Sequence, residues 1–180
     1  MLFARFPEGK YGAFELRRHK KGDEKELAAN INDKSVSKYT SRIPFAYSLS
    51  DAKSWINHCS GEYKKRKIKE LNLAITIKGE VAGGISLFNL EGHKAEIGYW
   101  IAKKYWSRGI MTKAVGIVSR FGFSGLKLRR VYAPVFFQND ASSKVLENNE
   151  FALEGIMKNY CLKNGKFYDA KMYAKNLKRK

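Results

Sequence analysis

A chain of 180 residues that is 44% hydrophobic and 13% aromatic carries enough apolar matter for one sizeable core, which excludes a disordered polymer. Its formal net charge of +18 favours an anionic partner (a phosphorylated cofactor, nucleic acid, a ribosome-like surface or an acidic peptide), with a merely soluble, lysine-rich surface as the plain alternative. No stretch approaches the ~18 apolar residues of a spanning helix, and "MLFARFPEGKYG" lacks a signal-like apolar run, so a cytoplasmic protein without a membrane partner is expected.

"GAFELRR", Gly12 to Arg18, alternates and reads as a first strand. "KGDEKELAANIND" follows as a helix capped by Asp23, with Leu27, Ala28 and Ile31 at helical spacing. "SLSDAKSWINHCSGEY" is a second helix, with Ser50 as the expected cap and Ser48 or Asp51 as alternatives. The run "KKRKIK", Lys64 to Lys69, reads as a solvated turn or face, with nucleic-acid contact as the alternative.

Three strand-like runs come next: "LNLAITI", a turn at "KGE", "VAGGISLFNL", a turn at "EGHK", and "AEIGYWI". The pattern is that of an antiparallel meander. In "YWSRGIMTKAV" a helix begins near Ser107, with Ile110, Ala114, Val118 and Phe121 on its apolar face and its end near "GFSG". "RRVYAPVFF" is a further strand, and "NDASSKVLENN" a short helix capped by Asn139 or Asp140. "EGIMKNYCLKNGKFYDAKMYA" is a hairpin turning at Asn164-Gly165, and residues 174–180 form a loose basic tail. The order β-α-α-β-β-β-α-β-α-β-β, with no repeat or linker, predicts a single α/β layered domain around a mixed sheet.

Cys59 and Cys161 lie far apart and form no CxxC, and His19, His58 and His93 show no ligand spacing, so no metal is expected. His58 beside Cys59 is a chance neighbour, since adjacent residues on a helix point in different directions. The start of the fourth long element is more informative. A helix start offers unpaired N–H groups and the positive end of the dipole. Gly109 removes a side chain there, Ser107 and Thr112 add hydroxyls, and Arg108 adds charge. That combination is a candidate pyrophosphate cradle, with ordinary capping as its alternative. It is neither a GxxxxGK[ST] loop nor a GxGxxG.

Three stretches, "AEIGYWIAKKYWSRGIMTKAV", "RRVYAPVFFQNDASSKVLENNEF" and "LEGIMKNYCLKNGKFYDAKMYA", together resemble the GNAT acetyltransferases. More narrowly they resemble the branch of ribosomal-protein N-terminal acetyltransferases, over about Phe14 to Ala174, with "SKYTSRIPFAYSLSDAKSWI" included. The resemblance implies a twisted mixed sheet of about six to seven strands with flanking helices and splayed central strands. It implies acetyl-CoA as co-substrate, with Ile101, Ser107, Arg108, Gly109, Ile110, Met111 and Thr112 as cofactor-binding residues and the pyrophosphate at Ser107 to Thr112. Asn139 and Ser142 match an NxxS motif that touches the cofactor near its sulfur, where Ser142 would assist the leaving thiolate; helix capping is the alternative. The sequence departs from the family pattern in three places. Met111 stands where glycine or alanine is frequent, and Glu150-Phe151 replaces a usual Gly-Phe, so a glycine-type backbone is not expected at Glu150. Pro134 sits inside a strand, tolerable at the splay or marking a bulge.

Amine acetylation needs a proton acceptor and good positioning. Glu96 is the first candidate base: it alternates with Gly98 and Trp100 on one face of an apolar strand, where burial would raise its pKa; a structural glutamate is the alternative. Tyr160 and Tyr168 are secondary acid candidates more simply read as packing, and Asp169 is structural. The resulting expectation is an N-acetyltransferase working by direct transfer in a ternary complex, as a monomer or homodimer. The acceptor is a protein N-terminus, perhaps ribosomal, with a polyamine or aminoglycoside as the second reading. A basic RNA- or ribosome-binding module is the non-enzymatic one; against it, "KKRKIK" has no interleaved aromatic residue.

Overall fold

The computed structural model describes residues 8–177. Eight strands form one mixed sheet in the order β1-β2-β3-β4-β5-β6-β8-β7. They are β1 (Gly9–Lys10), β2 (Glu15–Arg18), β3 (Leu71–Ile77), β4 (Glu80–Glu91), β5 (Lys94–Ile101), β6 (Arg130–Phe136), β7 (Ala152–Lys163) and β8 (Lys166–Asn176). The count exceeds the expected six to seven because the two-residue β1 adds to the edge. Five helices flank the sheet: α1 (Glu24–Ile31), α2 (Lys34–Ser37), α3 (Leu49–Tyr63), α4 (Ile110–Ser124) and α5 (Asp140–Glu147), with one 3₁₀ turn at Lys103–Tyr105.

The β3-β4-β5 meander is present as read, with antiparallel pairing throughout. Leu71 to Thr76 are all buried, because β3 is covered on both faces. On one face Leu71, Leu73, Ile75, Ile85, Leu87, Ala95 and Ile97 pack against Ile110, Ala114, Val115, Val118 and Phe121 of α4. On the other, Val81 and Trp100 pack with Leu27, Ile31, Ala52, Trp55 and Ile56 of α1 and α3. The result is three layers, with a different helical set on each face.

Several local expectations are corrected. Asp23 precedes α1 but makes no capping bond; its carboxylate instead takes both arms of the Arg17 guanidinium, at 2.7 and 2.8 Å, and the Lys20 N–H at 3.0 Å. A bidentate ion pair is worth more than a single N–H. Ser48, not Ser50, caps α3, in a reciprocal capping box with Asp51. The short α2 was not legible; Asp33 caps it by accepting from Ser35 N–H. The run Lys64–Lys69 forms the turn between α3 and β3. The hairpin turns at Asn164-Gly165 as read, with φ of 49° and 73°. The expected loose tail is strand as far as Asn176, because β8 pairs Lys175 and Asn176 with Val131 and Arg130; residues 178–180 lie outside the described residues. Glu150 does adopt the glycine-type conformation, with φ of 62°.

Candidate active site

Among the described residues β5 and β6 are the only parallel neighbours in the sheet, and they pair over just three positions, ending at Glu96 opposite Tyr132. Beyond that point β6 stays with β8 through Phe136, while β5 stays with β4 through Ile101. The two strands therefore diverge, and their facing backbone groups are left for another partner. Pro134 lies beyond the last β5–β6 pair, so its missing N–H forfeits no bond to β5. A cavity of about 1330 Å³ passes through this gap, lined from α4 and α5 on one side of the sheet and from α1, α3 and the 39–47 loop on the other.

The end beside α4 could hold an anion. α4 begins at Ile110, three residues later than expected, because Ser107 and Gly109 both take left-handed conformations, with φ of 58° and 69°. Such alternation turns successive N–H groups toward one point. No side chain caps the helix and no acidic residue lies in its first turn, so its N–H groups and dipole face the cavity uncompensated. A Cβ at Gly109 would meet nothing within 4 Å, so glycine is favoured there by its φ, not by neighbours. The Arg108 guanidinium lies over the Tyr105 ring, 5.6 Å from its centroid. Ile110 and Met111 turn their side chains into the core, leaving their backbone as the contribution. The Thr112 carbonyl accepts from Asn149 Nδ2 at 2.9 Å, tying α4 to the end of α5.

At the gap itself Asn139 caps α5 by accepting from the Ser142 N–H at 3.2 Å, so the capping reading of that pair holds for Asn139. The Ser142 hydroxyl lies 2.8 Å from the Tyr99 hydroxyl. Burial pushes the Tyr99 phenol well above its usual range, so it stays an O–H donor. Ile101 lines the gap, but its carbonyl already accepts from the Trp106 indole N–H at 2.9 Å. On the opposite face, Glu96 accepts from Asn89 Nδ2 at 3.1 Å. Burial raises the Glu96 pKa; the Arg42 charge and the Asn89 bond oppose that only in part. The Arg42 guanidinium carbon lies over Phe88, 4.0 Å from the ring centroid. Glu96 and Ser142 thus stand on opposite faces of the sheet, joined through the splay.

Tyr160 lines the cavity on the Glu96 side, whereas Tyr168 packs against Phe136 at 5.7 Å between centroids. Asp169 accepts from Lys158 Nζ and Asn159 N–H and braces the β7–β8 hairpin. Both cysteines are free and buried. Burial, with Glu70 nearby, pushes the Cys59 thiol up to about 12, and burial raises Cys161 as well, so neither is an activated nucleophile. Among the described residues no group of three or more His, Cys, Asp and Glu side chains could hold a metal, and no helix is long and apolar enough to cross a membrane. Tyr99, Asn89 and Arg42 escaped sequence reasoning. Tyr99 alternates with Ile97 and Ile101 and reads as packing, while Arg42 lies in a loop without periodicity.

Comparison with known proteins agrees with this geometry. The acetyltransferase (GNAT) domain family matches residues 14–152. The chain is 29% identical over 161 residues to the uncharacterized N-acetyltransferase p20 of Bacillus licheniformis, covering 88% of this chain and 90% of that one. It is 28% identical over 141 residues to the ribosomal-protein-serine acetyltransferase of Escherichia coli, covering 71% and 78%. The structure of the microcin C7 self-immunity acetyltransferase MccE, in complex with acetyl-CoA and AMP, superposes with a TM-score of 0.83 at 26% identity, over 98% of this chain and 100% of that one. With its splayed parallel pair, its uncapped helix start and a family match over most of its length, the chain belongs to the GNAT acetyltransferases and is an acetyl-CoA-dependent N-acetyltransferase.

Proposed function

We propose that the acceptor is the α-amine of a protein or peptide N-terminus. The observation that carries this is the size and run of the cavity. Its about 1330 Å³ takes in the cofactor's room beside α4, and it continues past the gap into a cleft between the 39–47 loop, α3 and β4. That leaves room for a chain-like acceptor beside the cofactor arm. The similarity to an enzyme named for ribosomal-protein serine acetylation supports the same acceptor class.

In this reading the pyrophosphate rests on Ser107 to Thr112 and the thioester lies in the splay. Glu96, directly or through one water, takes a proton from the incoming ammonium. An α-amine, with an ordinary pKa of about 7.7–8.0, asks less of that base than a lysine would. The freed amine attacks the thioester carbonyl carbon, the C–S bond breaks, and the attacking nitrogen sheds its second proton to solvent. The departing thiolate is met by the Ser142 hydroxyl, which Tyr99 supports from behind. Transfer is direct, because both thiols are held protonated. Labelled acetyl-CoA offered to peptide N-termini, lysine side chains and small amines tests the assignment: peptide α-amines acquire the label fastest. Glu96→Gln lowers kcat by ~10²-fold or more and removes the acidic limb of the pH–rate profile. Labelling confined to non-peptide amines would reject the acceptor, and wild-type kcat in Glu96→Gln would reject the base.

A further inference from the structure

Charge is sorted along the cavity. Its lining cations beside α4 and α5 are Arg108 and Lys144, whereas the half beyond Glu96 holds Asp51, Glu70 and Glu96 against Arg42 as its lining Lys or Arg. In a chain of net charge +18 this is a local inversion of sign. The far end is also specifically built. The register pairs Asn72 with Ser86 and Ser86 with Gly98, and continuing the Arg18–Leu73 pairing brings His19 beside Asn72. His19, Asn72, Ser86 and Gly98 therefore form one row across the sheet. Glu70, two residues before Asn72, continues the adjacent row of Phe88 and Glu96. Strands are ~4.8 Å apart, so Glu70 and Asn72 lie roughly 10 Å from the Glu96–Gly98 strand.

Two buried polar atoms at this end have no hydrogen-bond partner, His19 Nδ1 and Asn72 Oδ1. Both residues line the cavity, and they are only 4% and 1% exposed. Buried polar atoms without partners are costly, so their place behind an acidic pocket marks acceptor capacity that the chain itself does not use, backing the more open Glu70. Glu70 adds to that capacity. Its Oε2 accepts from Asn72 Nδ2 at 3.1 Å and lies 3.2 Å from His58 Nε2, which leaves Oε1 for a further donor. Trp55, with His58 stacked on it at 5.7 Å and His19 edge-on at 6.1 Å, supplies an aromatic wall for a cation.

We propose that Glu70, Asn72, His19 and Trp55 form a subsite for a second, cationic N–H donor carried by the acceptor, roughly 10 Å from the amine that is acetylated. On the peptide reading above, on which this inference rests, that donor is a lysine or arginine side chain at the second or third residue. An extended chain advances ~3.3 Å per residue and a basic side chain covers the remainder. The same chemistry could be presented by the distal ammonium of a linear polyamine.

The test is equilibrium binding to the protein–CoA complex, beside initial rates of acetyl transfer. The ligands are peptides differing only by lysine, arginine, norleucine or glutamate at the second or third residue, and a linear triamine. Lysine and arginine peptides bind at least tenfold more tightly than the norleucine peptide at one of the two positions, and the difference appears in KM more than in kcat. Glu70→Gln, which keeps the side chain's shape, removes the preference while acetyl-CoA affinity stays at its wild-type value. Equal binding of lysine and norleucine peptides and no binding of the triamine, or a preference that survives Glu70→Gln, overturns the subsite. If the triamine binds in a Glu70-dependent way and is acetylated while no peptide is, the subsite stands and the peptide assignment falls.

Discussion

Glu150 holds a left-handed backbone conformation, φ 62°, at the end of α5, where its carboxylate pairs with Lys175 Nζ at 2.9 Å. A left-handed non-glycine residue costs ~1–2 kcal/mol, whereas an ion pair this exposed returns little. Glycine relieves the strain but enlarges the unfolded ensemble by ~0.4–1 kcal/mol. Glu150→Gly therefore raises stability by about 0.5 kcal/mol, or roughly 1–2 °C in Tm, and Glu150→Val lowers it, because a branched Cβ fits this region worst. Thermal unfolding in the order Val, Glu, Gly checks this; a glycine variant less stable than the valine one sinks it. The glycine requirement was visible as a departure from the family pattern, but not that the chain would accept the strain. The reason lies in what flanks it: Phe151 is buried on one side, and Asn149 on the other joins Thr112 and Val145. Glu96 came forward as a candidate from its alternation along an apolar strand, and Asn139 and Ser142 from their match to the NxxS motif of the family they resemble. Tyr99 was not legible, since its role depends on a hydroxyl partner 43 positions away.

Helix starts carry most of the element-scale information. Ser48 and Ser50 both lie near the start of α3, and only Asp51 three residues after Ser48 decides between them by closing the capping box. At α4 the same logic is inverted: nothing caps the helix, and Gly109 leaves its N–H groups open. The sequence signalled a special start but placed it at Ser107, because left-handed turns have no periodicity to betray them. Gly109→Asp separates the helix from its ligand. Aspartate at a helix start is favourable to the dipole and tolerates the left-handed region better than most residues. The space around it is open, so the cofactor-free protein keeps its Tm within a few degrees. Acetyl-CoA affinity falls at least ~100-fold, since a carboxylate then stands at the proposed pyrophosphate site. Calorimetry checks both halves; unchanged affinity places the pyrophosphate elsewhere, and collapse of the apoprotein makes the glycine structural.

At the scale of the whole molecule, the layered architecture and the meander follow from apolar alternation and turn chemistry. The splay does not: it arises because β6 keeps its long partnership with β8 while β5 follows β4, a competition between distant strands. The same long-range packing buries His19, between the end of β2 and Trp55 of α3, although a histidine in a basic stretch reads as surface. Burial lowers its pKa from 6.5 to about 4; Asp23 pulls the other way and Arg17 adds to the lowering. The unfolded chain therefore binds a proton on His19 below about pH 6.5 that the folded chain refuses until about pH 4, so stability rises with pH across that window. The contribution is complete above pH 6.5 and is lost progressively as pH falls to about 4, for a total of about 3 kcal/mol. Glu96, whose pKa is raised, works in the opposite sense over the carboxylate range and offsets a part. Urea unfolding at steps from pH 7 to 4.5 measures the slope. His19→Leu fills the same buried space without a titrating ring, so its stability is flatter than wild type over this range. Parallel curves would mean that the imidazole is protonated in the folded protein, and the packing of β2 on α3 would then have to accommodate a buried cation.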